Sequence, residues 1–171
     1  FTFSSNEAGT FEASLDGGSY TTVSSPSTLT SLTTGSHTYM VRAIDVAGNV
    51  DATPASYTWT VDDIAPAAPV ITSPAAGAVL TSLSTVISGT TEANSSVSVT
   101  INGDVFNTAA DGSGNWTITR ALATNIYSVT AVATDAASNS SPISATRSFS
   151  VNIDPTINVT GTLAALTTTY G

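Results

Sequence analysis

The chain repeats part of itself after 90 residues, and this repeat limits the folds that are open to it. Residues 37–51 read HTYMVRAIDVAGNVD, and residues 127–141 read YSVTAVATDAASNSS. The shift aligns an alanine, an aspartate and an asparagine of the two blocks: Ala43 with Ala133, Asp45 with Asp135, and Asn49 with Asn139. A second block aligns at a shift of 85 for residues 6–8 against 91–93, and of 86 for Asp16-Gly17 against Asn102-Gly103. Two blocks in the same order indicate two copies of one structural module.

Both copies show the period-two alternation of β-strands. In residues 37–45 the side chains of Tyr39 and Val41 fall on one face, which we predict to point inward, and Arg42 falls on the other. The following strand is predicted over 55–61 and 145–151, where Trp59 aligns with Phe149 at an inward position. Two dipeptides mark tight hairpins between strands: Asp16-Gly17 and Asn102-Gly103. The chain is therefore predicted to be all-β.

Charge and hydrophobicity exclude several classes of function. The chain has 12 acidic side chains against three Lys and Arg, a net charge of −9, so it lacks the basic surface that nucleic acids require. Hydrophobic residues make up 41%, which does not fit intrinsic disorder. No apolar run reaches the roughly 18 residues of a membrane span, so no membrane insertion is predicted in this segment.

The domain organisation follows from the strand count and from one proline-bearing segment. Residues 62–69 (DDIAPAAP) interrupt the alternation and are predicted to be a linker. About seven strands are expected over 69–152, the number typical of an immunoglobulin-like sandwich. We predict tandem immunoglobulin-like antiparallel β-sandwiches joined by this short linker: a module over 1–63 that lacks its first strand, a second over 64–154, and the start of a further module over 155–171.

Several strings in the chain resemble known surface modules. The pieces SNEAGTFEASLDG, GSHTYMVRAIDVAGN and ATPASYTWTVD resemble bacterial immunoglobulin-like repeats of large surface adhesins. The pieces PAAPVITSP, ISGTTEANSSVSVTING and GSGNWTIT, within residues 66–151, resemble a second subtype of these repeats. Residues 156–170 are similar to the start of a repeat common in Bacteroidota surface proteins. The resemblance implies an extracellular, cell-surface stalk or adhesin, often with calcium at the module junctions.

No arrangement of residues predicts catalysis. His37 is the only histidine, and a structural role near the corner of the sandwich is the better interpretation of it. A serine–histidine–acid triad cannot be argued from it, so we expect no catalytic residues and no enzyme activity. Both tryptophans, Trp59 and Trp116, are predicted to pack in the core, although exposed aromatic rings could also stack on sugars.

Acidic and amide side chains occur in loops that we expect to meet at one end of the second sandwich. Calcium binds six to eight oxygen atoms from carboxylates, amides and backbone carbonyls. The sequence predicts a calcium ion at the module junction, with five ligands: Asp62, Asp63, Glu92, Asp135 and Asn139. The matching half-site of the first module comprises Glu7, Asp45 and Asn49. The alternative is turn chemistry without an ion, because Asp and Asn side chains bond to nearby backbone groups in turns.

The expected function is structural. The modules would act as spacers of a bacterial adhesin or surface fibre, with neighbouring modules of the same chain as partners and host or surface glycans or proteins bound through other regions. The alternatives are a carbohydrate-binding or protein-binding adhesin module, or an accessory region of a secreted hydrolase. The strand-like start at Phe1 and the stop at Gly171 predict that signal and anchor lie elsewhere.

Overall fold

A computed structural model describes residues 1–153 of the chain. It divides the chain into two compact units, the first comprising Phe1–Ala65 and the second beginning at Pro66. The division falls inside the proline-bearing segment 62–69. The further module predicted over 155–171 lies outside the described residues.

The first unit contains one four-stranded antiparallel sheet. Its strands are β1 (Gly9–Leu15), β2 (Thr21–Val23), β3 (Gly35–Asp45) and β4 (Ala55–Val61), in the order β2-β1-β3-β4. Residues 16–20 connect β1 to β2, and the connection begins with a turn at Asp16 and Gly17, whose φ angles are 52° and 74°. Asp and Gly tolerate this left-handed backbone, which confirms the predicted turn.

The second unit is a sandwich of two sheets. Its strands are β5 (Val70–Ser73), β6 (Val79–Leu80), β7 (Ser84–Thr90), β8 (Ser96–Ile101), β9 (Asp104–Ala109), β10 (Asn115–Ala121), β11 (Asn125–Thr134) and β12 (Arg147–Val151). One sheet has the order β10-β7-β5 and the other the order β6-β12-β11-β8-β9. The predicted Asn102-Gly103 hairpin joins β8 to β9, with φ angles of 48° and 100°. One pairing departs from the predicted antiparallel pattern, because β6 runs parallel to β12.

The core of the second unit lies between its two sheets. Alternate side chains of β8, β11 and β12 point inward and meet residues of β5, β7 and β10. The buried set is Ile71, Ile87, Val97, Val99, Ile101, Ala110, Trp116, Ile118, Leu122, Tyr127, Val129, Ala131, Phe149 and Val151. Burying each large aliphatic or aromatic side chain contributes about 1.5–3 kcal/mol, and this burial holds the two sheets together.

The strand registers reproduce the repeat that the sequence predicted. In the first unit His37 lies opposite Trp59. In the second unit Tyr127 lies opposite Phe149, 90 residues later in both strands. Strand β8 follows β1 by 86 residues with the same pairing: Ala13 of β1 pairs with Val41 of β3, and Val99 of β8 pairs with Ala131 of β11. We call this shared four-stranded arrangement the repeated sheet: β2-β1-β3-β4 in the first unit and β9-β8-β11-β12 in the second.

The inner face of the repeated sheet is less covered in the first unit. The Phe1 ring lies over it, with ring centroids 4.9 Å from Tyr39 and 5.1 Å from Trp59. Phe1 also exchanges backbone hydrogen bonds of 2.7 and 2.8 Å with Ser27. Tyr57, which alternation predicts on the same inward face as Trp59, is nevertheless 62% exposed. Among residues 1–65 no second sheet covers this face.

Candidate functional site at the loop end of each unit

The turn after β3 and the turn after β11 have the same geometry. In the second unit the Asp135 carboxylate accepts hydrogen bonds from the backbone N–H of Asn139 at 2.8 Å and from its side-chain amide at 2.9 Å. In the first unit Asp45 accepts the same two bonds from Asn49, at 2.8 and 2.7 Å. The side-chain amide of the asparagine is the largest cause that lowers the pKa of each aspartate. Each pair therefore closes its turn as an ionised aspartate with a neutral donor.

A third turn of the same Asp-x-x-x-Asn spacing precedes β10. Asp111 Oδ1 accepts from the backbone N–H groups of Ser113 at 2.8 Å and Asn115 at 2.9 Å. The Asn115 backbone bond is the largest cause that lowers the pKa of Asp111. Backbone bonds tie this turn to the neighbouring loop, from Thr91 N to the Gly114 carbonyl at 2.9 Å and from Asn94 N to the Asp111 carbonyl at 3.1 Å.

The loops expected to meet at one end of the second unit do so. Ser96 at the start of β8 pairs with Thr134 at the end of β11. Asn115 at the start of β10 pairs with Thr90 at the end of β7. The loop containing Glu92, the Asp111 turn and the Asp135 turn therefore lie at the same end. The Glu92 backbone carbonyl accepts from Ser95 Oγ at 2.7 Å, which shapes its loop.

The described side chains do not assemble a cage of calcium ligands. No group of three or more Asp, Glu, His or Cys residues among residues 1–153 is placed to hold a metal ion. Both Asp135 oxygens accept N–H groups from Asn139, which presents its amide nitrogen, not its oxygen, to that carboxylate. These contacts are the ones expected if Asp and Asn only shape the turn. They do not require calcium, so the calcium site stays a prediction.

The predicted linker ligands make contacts inside the first unit. Asp62 Oδ1 accepts from the backbone N–H of Ile64 at 3.1 Å. Asp63 Oδ1 accepts from the Thr34 hydroxyl, and the Asp63 backbone N–H donates to that hydroxyl at 3.2 Å. The half-site residues Glu7, Asp45 and Asn49 line one open cleft of this unit. Arg42, which donates to Glu12 at 2.7 and 3.1 Å, lines it too.

The aromatic candidates divide between core and surface. Trp116 is 2% exposed and lies against Gly89 of the neighbouring strand, so it is a core residue as predicted and cannot stack on a sugar. Trp59 is only partly buried and stacks on Tyr57, with ring centroids 6.1 Å apart and an interplanar angle of 25°. The described residues include no helix that is long and apolar enough to cross a membrane.

The second unit is an immunoglobulin-like β-sandwich, because its two sheets pack face to face. Strands β5 and β6 belong to different sheets, and a hairpin joins β8 to β9. Residues 80–155 match the family model of the bacterial Ig-like domain. The match covers less than half of the chain and lies within the second unit. No curated protein matches the chain significantly.

Several solved structures resemble the chain. A tetra-tandem repeat from the extending region of a large adhesion protein is 21% identical, with a TM-score of 0.41, and the match covers 85% of this chain and 42% of that one. A Ca²⁺-stabilised adhesin of an Antarctic bacterium is 22% identical, with a TM-score of 0.40 and coverage of 90% and 43%. Fibronectin(III)-like modules of Clostridium thermocellum CbhA are 16% identical, with a TM-score of 0.45 and coverage of 89% and 82%. The chain thus spans less than half of either adhesin chain.

Proposed function

We propose that this chain is a non-catalytic spacer region of an extracellular bacterial adhesin or surface fibre. The observation that carries the proposal is the repeated sheet, built twice in tandem with the same register. Its modules are those predicted from the sequence, 1–63 and 64–154, with a further module starting at 155. A tandem array of such modules sets a distance between a surface and a distal binding region, and the sandwich of the second unit resists extension.

The second unit contains a feature suited to bearing load. Strand β6 near its beginning runs parallel to β12 near the end of its described residues. Three backbone hydrogen bonds of 2.8 Å join the two segments: Gly77 N to the Ser148 carbonyl, Ser150 N to the Ala78 carbonyl, and Asn152 N to the Leu80 carbonyl. Pulling the unit by its two ends loads these bonds together in shear, so they must break almost simultaneously.

Single-molecule force spectroscopy on the whole chain tests this function. We expect one unfolding event that releases about 280 Å of chain, the extended length of residues 70–152. Asn152→Pro removes one donor of the parallel pair and should lower the force of this event, whereas Asn152→Ala keeps the donor and should not. A spacer function is rejected if the unit unfolds without measurable resistance to load.

A ligand-binding adhesin module is the second candidate. The stacked and partly exposed pair of Tyr57 and Trp59 supports it, because flat aromatic surfaces bind sugar rings. A glycan array on the whole chain, repeated with Tyr57→Ala, tests it. Binding that disappears in the variant would favour this candidate over a spacer, and an array without signal would remove it.

Calcium is the finer part of the spacer proposal. The predicted ligands include carboxylates, and hard oxygen donors of this kind suit the ion. If calcium joins the linker acids Asp62 and Asp63 to the loop acids Glu92 and Asp135, it should raise the melting temperature relative to chelator. The rise should disappear in Asp135→Ala. Equal melting temperatures with calcium and with chelator would leave these residues to turn and linker roles.

A further inference from the structure

In each unit a side chain near the start of one strand, β3 in the first unit and β11 in the second, bonds to the backbone carbonyl four residues earlier. In the second unit the Tyr127 hydroxyl donates to the Ala123 carbonyl at 3.0 Å. This contact is the tyrosine corner that immunoglobulin-like sandwiches use to fix the entry of a strand. In the first unit the equivalent residue is His37, and its Nε2 lies 2.7 Å from the Thr33 carbonyl. Both the side chain and its acceptor are displaced by 90 residues.

The turn residue beside this corner also differs between the two units. In the second unit Asn102 is neutral: its Oδ1 accepts from Ser128 N at 2.8 Å, and its amide donates to the Ile126 carbonyl at 3.1 Å. In the first unit Asp16 stands in its place. Asp16 Oδ1 accepts from Thr38 N at 2.7 Å, and Oδ2 lies 2.8 Å from His37 Nδ1. A neutral Asn–Tyr pair is thus replaced by a titratable Asp–His pair.

The hydrogen-bond partners of His37 favour its protonated form. Both ring nitrogens face groups that only accept, a carboxylate and a backbone carbonyl, and a neutral imidazole has a single N–H to donate. The ring must therefore be an imidazolium to satisfy both. It is 6% exposed and lies beside the Trp59 ring, with centroids 5.8 Å apart. Among the described residues Asp16 is the charged group that acts on it.

We propose that the corner of the first unit is a pH-dependent clamp, which holds the Thr33 segment and the Asp16 turn against β3 only while His37 is protonated. The corner of the second unit is its pH-independent counterpart. Loss of the His37 proton leaves either the Thr33 carbonyl or Asp16 Oδ2 without its histidine donor, while Asp16 Oδ1 keeps its bond from Thr38 N. The adjacent Thr34 holds Asp63, so loosening reaches the linker as well.

The direction of the pH dependence follows from the shifted groups. The bond to the Thr33 carbonyl, followed by the bond to Asp16, raises the pKa of His37 above its ordinary value of 6.5. The stabilisation is therefore complete below that value and is lost as the pH rises through the raised pKa. The His37 bond is also the largest cause that lowers the pKa of Asp16 below 3.8, so the clamp fails again only when the pH falls through that lower value. The first unit should be strongest in mildly acidic solution.

The whole chain offers a direct test, because His37 is its only histidine. A proton NMR titration of the imidazole should give a midpoint above 6.5, and a midpoint at or below that value would overturn the proposal. The double variant Asp16→Asn, His37→Tyr installs the corner of the second unit. Hydrogen exchange of the β3 amides, compared with the β11 amides at each pH, should show protection of β3 falling between pH 6 and 9 in the natural chain but not in this variant.

The reciprocal exchange provides the control. Asn102→Asp with Tyr127→His should transfer the pH dependence to β11 and leave β3 unchanged. If either double variant fails to fold, the imidazole titration of the natural chain decides alone. Parallel pH profiles for β3 in the natural chain and in the Asp16→Asn, His37→Tyr variant would contradict the clamp.

Discussion

The two units build the same four-stranded sheet but bury its inner face to different extents. In the second unit β10, β7 and β5 cover this face, and Phe149 is 2% exposed. In the first unit the described residues cover it with the Phe1 ring and the segment 24–34, and Trp59, at the position of Phe149, is only partly buried. The register is the same in both. Strand register therefore does not depend on the opposing sheet, whereas burial does.

The local features that both units share account for the common register. Two-residue turns with positive φ, Asp16-Gly17 and Asn102-Gly103, fix one end of the sheet. The Asp–Asn turns after β3 and β11 fix the other end. Alternation fixes which side chains point inward, because a slip of one residue would turn the whole apolar set outward. The Asp–Asn turns and the alternation act within a few residues. The turns at Asp16 and Asn102 also bond to the adjacent strand, at Thr38 and Ser128.

The largest expected effect is on the core of the second unit. Phe149→Ala should reduce its free energy of unfolding by about 3–5 kcal/mol, because it removes buried area and leaves a cavity. Trp59→Ala, the equivalent change in the first unit, should cost about 2 kcal/mol, because the space it leaves opens to solvent and no closed cavity forms. Hydrogen exchange read by mass spectrometry reports each unit on its own peptides. Equal losses in the two units would show that the first unit is covered as well as the second.

A smaller effect is expected at Gly89 of β7, where the neighbouring strands β5 and β10 leave no room for a side chain. A Cβ at Gly89 would lie 2.2 Å from the Val70 carbonyl oxygen and 2.4 Å from the Trp116 ring, so Gly89→Ala forces β5 or the ring to move. Overpacking of this kind costs about 1–3 kcal/mol. Gly112→Ala is the matched control, since nothing lies within 4 Å of its Cβ position. Urea unfolding followed by tryptophan fluorescence, in a Trp59→Phe background so that only Trp116 reports, measures both. An unchanged midpoint in Gly89→Ala would mean that β5 or the Trp116 ring moves aside without cost.

Much of this arrangement could be predicted from the sequence, because its causes are local. The repeat, the hairpins and the inward positions of Phe149 and Trp116 follow from spacing and alternation, and the structure confirms them. The parallel pairing of β6 with β12 joins residues 71 positions apart, and no pattern within either short strand predicts it. The exposure of Tyr57 was missed for the same reason, since alternation predicts the face but not what covers it.

The candidate site shows the same limit. The sequence predicted that the Asp135 and Glu92 loops lie at one end of the unit, but it could not predict which atoms the carboxylates contact. The Asp-x-x-x-Asn spacing was the available signal for the turn interpretation, and the structure describes three turns that have it, at Asp45, Asp111 and Asp135. The exchange of Asn102 and Tyr127 for Asp16 and His37 was also present in the aligned copies, but its meaning depends on two distances of 2.7 and 2.8 Å.

The smallest expected effect tests whether the two Asp–Asn turns are equivalent. Asp135→Asn places an amide nitrogen or a neutral oxygen where the Asn139 amide now meets a carboxylate, so one of the two bonds weakens.

The Asn139 amide, with its backbone N–H, lowers the pKa of Asp135. The stability that this carboxylate contributes is therefore present above its ordinary value of 3.8 and is lost as the pH falls through the lowered value. Asp135→Asn should make the second unit slightly less stable at pH 7 and flatten its acid unfolding, and Asp45→Asn should do the same to the first unit alone. Thermal unfolding between pH 2 and 7, read separately for β11 and β3, measures both effects. An acid profile of β11 that does not change in Asp135→Asn would show that the turn is held by its backbone bonds, and the similarity of the two turns would then reflect chain geometry without a contribution from charge.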